Sequence, residues 1–216
     1  MGIVRMGVPK ELVLKLKAAS RLTTFIETGT FYGHTAAWAA KHFDQVFTIE
    51  IDETISKRAA EKMSNSNSVN YLVGDSETIL PELVAELNSP AFFWLDGHYS
   101  GPGTGGESNE CPLLSELQPA LAVNGSVVMI DDARCFLGSP PPPHNSAHWP
   151  RVDDIFQHIK QLAPAYGTTI HDDVIIAVPP ELMIVLDEDW LENFDSRFHI
   201  AQPKGGWRGR LRRLME

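Results

Sequence analysis

Short apolar runs of β type alternate with amphipathic stretches of helical length along most of the chain. Residues 10–20 read as a leading helix and 23–27 as a short strand. Residues 33–42 read as a helix carrying alanines and Trp38. Residues 45–51 are rich in β-branched and aromatic side chains, as strands are. An amphipathic helix follows over 53–63, and the Ser/Asn stretch 64–68 ends it. Residues 69–73 read as a strand, and 77–87 as a helix that accepts Pro81 near its start. The run 91–95 is apolar throughout, as expected of a strand buried on both faces. A helix over 112–122 and a second buried strand over 126–130 complete the regular part. This alternation predicts βαβ units and a parallel sheet. After Asp132 the pattern loosens. Residues 138–150 form a proline-rich loop, a helix lies near 151–162, and 168–170 pairs with 174–178 in a hairpin turning at Asp172-Asp173. The pattern places no element after Pro180, and no internal repeat appears.

Composition narrows the classes. The chain has 216 residues, 43% apolar and 21% charged, which suits one domain over 1–216 with a sizeable core. No apolar run approaches the ~20 residues of a membrane span. Met1 to Arg5 lead into no apolar signal core. Cys111 and Cys135 match no metal spacing and read as reduced thiols, which points to the cytoplasm, with a disulfide as the alternative. The formal net charge of −10 would on average repel phosphate and disfavours a nucleic-acid partner. The C-terminal tail is the exception, with Lys204, Arg208, Arg210, Arg212 and Arg213. It reads as a solvated tail or as a clamp for an anionic substrate group.

In an open α/β sheet, ligands bind beyond the carboxyl ends of the strands. The first strand ends in Glu27-Thr28-Gly29-Thr30-Phe31-Tyr32-Gly33, and its glycines permit positive φ and close ligand approach. The second ends in Glu50-Ile51-Asp52. Glu50 can accept two hydrogen bonds from a ribose diol, or serve as a solvated or capping acid. The third ends in Gly74-Asp75-Ser76, which suits an adenine edge or a helix N-cap. The turn fits Gly-x-Gly-x-x-Gly in neither register and carries no Walker phosphate loop. Its acid, Glu27, suits a cofactor bearing a positive sulfonium and ammonium.

On these residues the chain resembles the class I S-adenosylmethionine-dependent methyltransferases. Residues 25–87 are similar to catechol O-methyltransferase and its bacterial relatives, through Glu-x-Gly-x-x-x-Gly, Thr-Ile-Glu and Val-Gly-Asp-Ser. The resemblance implies a doubly wound, mostly parallel seven-stranded sheet with a C-terminal antiparallel hairpin. It places Glu27, Thr28, Gly29, Thr30 and Gly33 about the methionine part, Glu50 and Ile51 at the ribose, and Gly74, Asp75 and Ser76 near the adenine. The cofactor half would span about 20–90, the acceptor half about 91–180, and an extension 181–216.

The fourth strand ends in Asp96-Gly97-His98-Tyr99 and the fifth in Asp131-Asp132. On neighbouring strands, ~5 Å apart, the three carboxylates would repel one another. A divalent cation would remove the conflict, and all-oxygen ligands favour Mg²⁺, Mn²⁺ or Ca²⁺. The alternative is that Asp131 and Asp132 only shape the cofactor pocket. Leu-Asp-Gly-x-Tyr followed by Ile-Asp-Asp resembles the macrocin-type sugar O-methyltransferases, which implies Asp96, Asp131 and Asp132 as metal ligands and Asp96 as part of the catalytic centre. His98 stands where those enzymes carry an acid, and the catechol enzymes' lysine has no counterpart. Histidine can act as general base for a metal-held hydroxyl, with a metal-ligand or structural role as the alternatives.

Loop 100–110 reads as a lid, and the proline-rich loop brings His144, His148 and Trp149 within range of substrate or metal. The expectation is metal-assisted O-methylation of a small-molecule hydroxyl, in a sugar or secondary metabolite. Metal-independent N- or C-methylation and a non-catalytic cofactor- or partner-binding module are the alternatives. A homodimer is left open.

Overall fold

The computed structural model describes residues 7–62, 68–101, 103–138 and 140–194. The extreme N-terminus, most of the Ser/Asn stretch and the basic tail lie outside them.

Helix α1 (Lys10–Ser20) leads into β1 (Thr24–Thr28), α2 (His34–Ala39), β2 (Gln45–Glu50), α3 (Glu53–Lys62), β3 (Val69–Val73), α4 (Ser76–Leu87), β4 (Phe92–Leu95), α5 (Leu113–Ala122) and β5 (Val127–Ile130). Helix α6 (Val152–Leu162), β6 (Gly167–His171), β7 (Val174–Val178) and α7 (Met183–Glu192) follow. The strands form one sheet in the order β3-β2-β1-β4-β5-β7-β6. The first five are parallel, and β7 runs antiparallel to both β5 and β6. The predicted doubly wound sheet and closing hairpin are both present, with Asp172 at φ 51° in the hairpin turn.

Alternating side chains of the strands feed two cores. Ile26, Ile49, Phe93, Leu95, Val128, Ile130 and Ile175 pack with α4, α5 and α6 on one face. Phe25, Val46, Phe92, Trp94, Val127, Met129 and Ile176 pack with α1, α2 and α7 on the other. Strands buried on both sides need no polar alternation, which is why they read as unbroken apolar runs.

Many boundaries shift by a residue, and three departures have a visible cause. Strand β1 begins one residue later, because the Thr23 carbonyl is turned to accept the Asp44 and Gln45 N–H groups. Helix α2 is shorter at both ends. Gly33 caps it at φ 73°, and its last turn tightens as Lys41 and His42 donate to Trp38 and Ala39. Helix α7 fills part of the segment that the pattern could not place. Its inward face carries a buried acid, Asp189, 3% exposed and paired with Lys15 of α1 at 2.8 Å. A charged residue on the buried face breaks the apolar period by which a helix is read. No helix among the described residues is long and apolar enough to cross a membrane.

Candidate active site

The sheet reverses its winding between β1 and β4, and there the strand tops form a row. Thr28 pairs with Ile49 and Leu95, Leu95 with Ile130, and Glu50 with Val73. The ladder continues past the strands: Gly29 N–H donates to Ile49 O, Asp96 N–H to Thr28 O and Asp131 N–H to Leu95 O. Gly74, Glu50, Gly29, Asp96 and Asp131 therefore stand side by side at one end of the sheet. They border a cavity of about 500 Å³, within the range of small-molecule sites.

The side of the cavity under β1, β2 and β3 is built by backbone geometry. Gly29 has φ +83°, and a Cβ there would overlap the Asp96 carbonyl, so the first turn and the fourth strand approach as only glycine allows. Glu50 Oε2 accepts the Phe31 N–H at 3.0 Å, and its Oε1 accepts the Asp52 N–H at 3.1 Å. Each oxygen keeps a lone pair for a ligand. Phe31 is held at φ 45°, a strained value for a bulky residue. Asp75 is the N-cap of α4, accepting Glu77 N–H at 3.0 Å, so the capping alternative is present. Ile51, Gly74, Asp75 and Ser76 all border the cavity; Glu27, Thr28, Thr30 and Gly33 are not part of its lining. Glu27 is 2% exposed and lies behind the wall, in a chain where Thr30 Oγ1 meets Thr48 Oγ1 at 2.6 Å and Thr48 donates to Glu27 at 2.7 Å. Burial pushes the Glu27 pKa up to about 8, against the Thr48 hydrogen bond that favours its charge.

The chemical side gathers Asp96, His98, Asp131 and Asp132 around the other half of the same cavity. His98 Nε2 lies 3.1 Å from Asp132 Oδ2, and its Nδ1 lies 3.6 Å from Asp96 Oδ1. Burial would lower the His98 pKa, but the Asp132 hydrogen bond and the charges of Asp96, Asp132 and Asp131 outweigh it and raise it. Burial raises Asp96, opposed by His98 and reinforced by Asp131 and Asp132. Burial and the neighbouring Asp132 likewise raise Asp131. Asp132 escapes this. Although burial opposes its charge, His98 and Arg134 hold its pKa down.

Arg134 is the residue that the sequence reading missed. Its Nη1 lies 2.6 Å from Asp132 Oδ1 and bonds Asp173 of the hairpin turn. Its position two residues after the Asp pair was the available signal; its second partner, 39 residues away, was not legible. His98 and Arg134 supply positive charge at the carboxylate cluster, where the sequence reading called for a metal. Each Asp132 oxygen takes one contact from them, and no group of three His, Cys, Asp or Glu side chains among the described residues stands out as a cation cage. His98 and Arg134 balance Asp132 without a cation, and this arrangement gives no support to a divalent metal on Asp96, Asp131 and Asp132. Glu116, also unforeseen, lies beneath Gly97 at 1% exposure, its pKa raised to about 7 by burial.

The two predicted loops meet here. Residues Ser100, Thr104, Gly105, Gly106, Ser108 and Asn109 border the cavity, and a Cβ on Gly105 would overlap the Ile51 side chain, so this loop rests directly on the turn after β2. His144 and His148 are not in the lining; both hydrogen-bond to Glu110. Cys111 and Cys135 are free thiols.

A doubly wound sheet with a hinge of strand order over a ligand-sized cavity defines a class of cofactor-binding α/β proteins. Solved structures narrow that class to the methyltransferase fold. The O-methyltransferase TomG of Streptomyces achromogenes, involved in tomaymycin synthesis and solved with S-adenosylmethionine, is 20% identical at a TM-score of 0.55, over 81% of this chain and 82% of that one. An O-methyltransferase of Bacillus cereus, solved with S-adenosylhomocysteine, is 18% identical at 0.53, over 80% and 82%. The N-methyltransferase NodS of Bradyrhizobium japonicum is 11% identical at 0.51, over 79% and 93%. No protein-family model and no curated protein matches the chain.

Proposed function

We propose that this protein transfers a methyl group from S-adenosylmethionine to a hydroxyl of a small molecule. The observation that carries the reading is the shared cavity. The glycine turn, Glu50 and the Gly74–Ser76 step border one half, and a proton-handling Asp96–His98 pair borders the other. The residues fit the cofactor: Glu50 has acceptor capacity for a diol, Ile51 and Ile55 offer apolar walls to a flat ring, and the surrounding acids suit a cation. When bound, the cofactor supplies an electrophilic methyl group on a positively charged sulfur.

The chain's own part is binding, orientation and proton transfer. Glu50 and the turn backbone hold the ribose end. Asp96 and His98 accept the hydroxyl proton as a coupled pair, and Asp132 fixes the imidazole through Nε2. The lid over Ile51 excludes water, so most of the acceleration comes from positioning and electrostatics. No step is assigned to a metal.

Both members of the pair are shifted up, Asp96 to about 8, so their proton-accepting forms are gained as pH climbs. The rate kcat/KM should therefore rise with pH across neutrality. Asp96→Asn and His98→Gln should each lose about 10²-fold or more in kcat while keeping S-adenosylhomocysteine affinity within a few-fold. A panel of hydroxylated acceptors with and without chelator is the test. Transfer that requires added Mg²⁺ would refute the metal-free account. Cofactor binding with no transfer to any acceptor would favour a binding module. The carboxylate cluster would also receive a protonated amine, so amines belong in the panel, and methylation confined to them would replace the hydroxyl reading with N-methylation.

A further inference from the structure

The lid and the proline-rich segment are distant in sequence, yet one side chain ties them together. Glu110 closes the lid at its base, where its carbonyl accepts the Tyr99 N–H at 2.7 Å. Its carboxylate, in a residue 3% exposed, is committed to the proline-rich segment. Oε1 accepts the Asn145 N–H at 2.9 Å. Oε2 accepts the Trp149 indole N–H at 2.7 Å and lies 3.2 Å from His144 Nδ1. The Glu110 N–H donates to His148 Nδ1 at 3.4 Å. A buried carboxylate is costly unless its oxygens are satisfied, and here three donors from one short segment converge on it.

The consequence reaches the chemical centre. Trp149, 8% exposed, lies edge-on to the His98 ring at 5.4 Å between centroids, and packs on Phe136 at 5.8 Å. His98 is thus held through Nε2 by Asp132 and along its ring by Trp149. Trp149 in turn donates its indole N–H to Glu110.

We propose that Glu110 is a positioning residue. Through Trp149 it sets the ring plane of His98, and it joins the lid base to residues 140–150 so that the acceptor side of the cavity is built as one piece. The catalytic meaning of this rests on the methyltransferase reading, while the linkage itself does not.

The test uses the full chain, isotope-labelled, with Glu110→Gln and Trp149→Phe beside wild type. Glu110→Gln keeps the size and removes the charge; Trp149→Phe keeps an aromatic ring and removes the N–H donor. His98 imidazole and Trp149 indole resonances, assigned with His98→Gln and Trp149→Phe, report the linkage without requiring turnover. In Glu110→Gln the Trp149 indole N–H and the His98 ring signals should both move. Amide exchange across 140–150 should speed by about tenfold or more, while S-adenosylhomocysteine affinity stays within about threefold of wild type. With an acceptor in hand, kcat should fall more than KM rises. Coincident His98 signals in folded wild type and Glu110→Gln would overturn the proposal. Absence of S-adenosylhomocysteine binding in wild type would instead overturn the methyltransferase reading and leave the linkage result standing.

Discussion

Gly29 shows how one residue can carry a fold and a site together. Its φ of +83° and the overlap that a Cβ would make with the Asp96 carbonyl leave no room for a side chain. Gly29→Ala should lower unfolding free energy by more than about 1 kcal/mol in urea titration, and weaken S-adenosylhomocysteine binding because the turn is pushed from Asp96. An unchanged midpoint would mean that the strand ends are not in contact as described. Glu27 yields a prediction of another kind. Its pKa is about 8 in the fold against an ordinary 4.5. The neutral form is the one buried, so its stabilising contribution is complete below pH 4.5 and is lost as pH rises through 8. Glu27→Gln removes that loss. Relative to wild type, the variant should gain up to about 1.4 kcal/mol per pH unit between pH 5 and 8. Parallel stability profiles of the two proteins would contradict it. The sequence revealed the acid and its turn but not its depth, since burial of Glu27 depends on Thr48 and Thr30 from the neighbouring strand and turn.

At the scale of elements, legibility followed locality. The strands and the hairpin turn at Asp172-Asp173 were visible because apolar runs and turn residues are local signals. The tops of β1, β2, β3, β4 and β5 were legible as a set once a parallel sheet was inferred, which is why Gly29, Glu50, Gly74, Asp96 and Asp131 come together as expected. What no local signal carried was the charge balance. The hairpin brings Asp173, 1% exposed, to Arg134, and Arg134 to Asp132, and no periodicity predicts such a triad. The metal expectation rested on the acids, and His98 and Arg134 supply part of the compensating charge. Asp173→Asn should destabilise the protein by about 1–3 kcal/mol, since it weakens the buried, charge-assisted contacts that the Asp173 carboxylate makes with the Arg134 guanidinium and backbone N–H. It should also loosen Asp132 and so lower methyl transfer more than cofactor binding. Denaturant titration and a paired activity assay check both; a neutral effect on stability would mean that the hairpin is not anchored through this contact.

For the whole molecule, the fold is one that solved O- and N-methyltransferases share, so on the proposed reading it leaves the acceptor open. The acceptor side is the chain's own: a lid resting on Ile51 and a proline-rich segment latched to it through Glu110. The most direct test of the central claim is calorimetric titration of the protein with S-adenosylhomocysteine, beside Glu50→Ala. The structure predicts about micromolar binding in wild type, indifferent to chelator, and a loss of at least about tenfold, or 1.4 kcal/mol, in the variant. No heat of binding in wild type, or equal affinity in Glu50→Ala, would contradict the assignment of this cavity to the methyl donor.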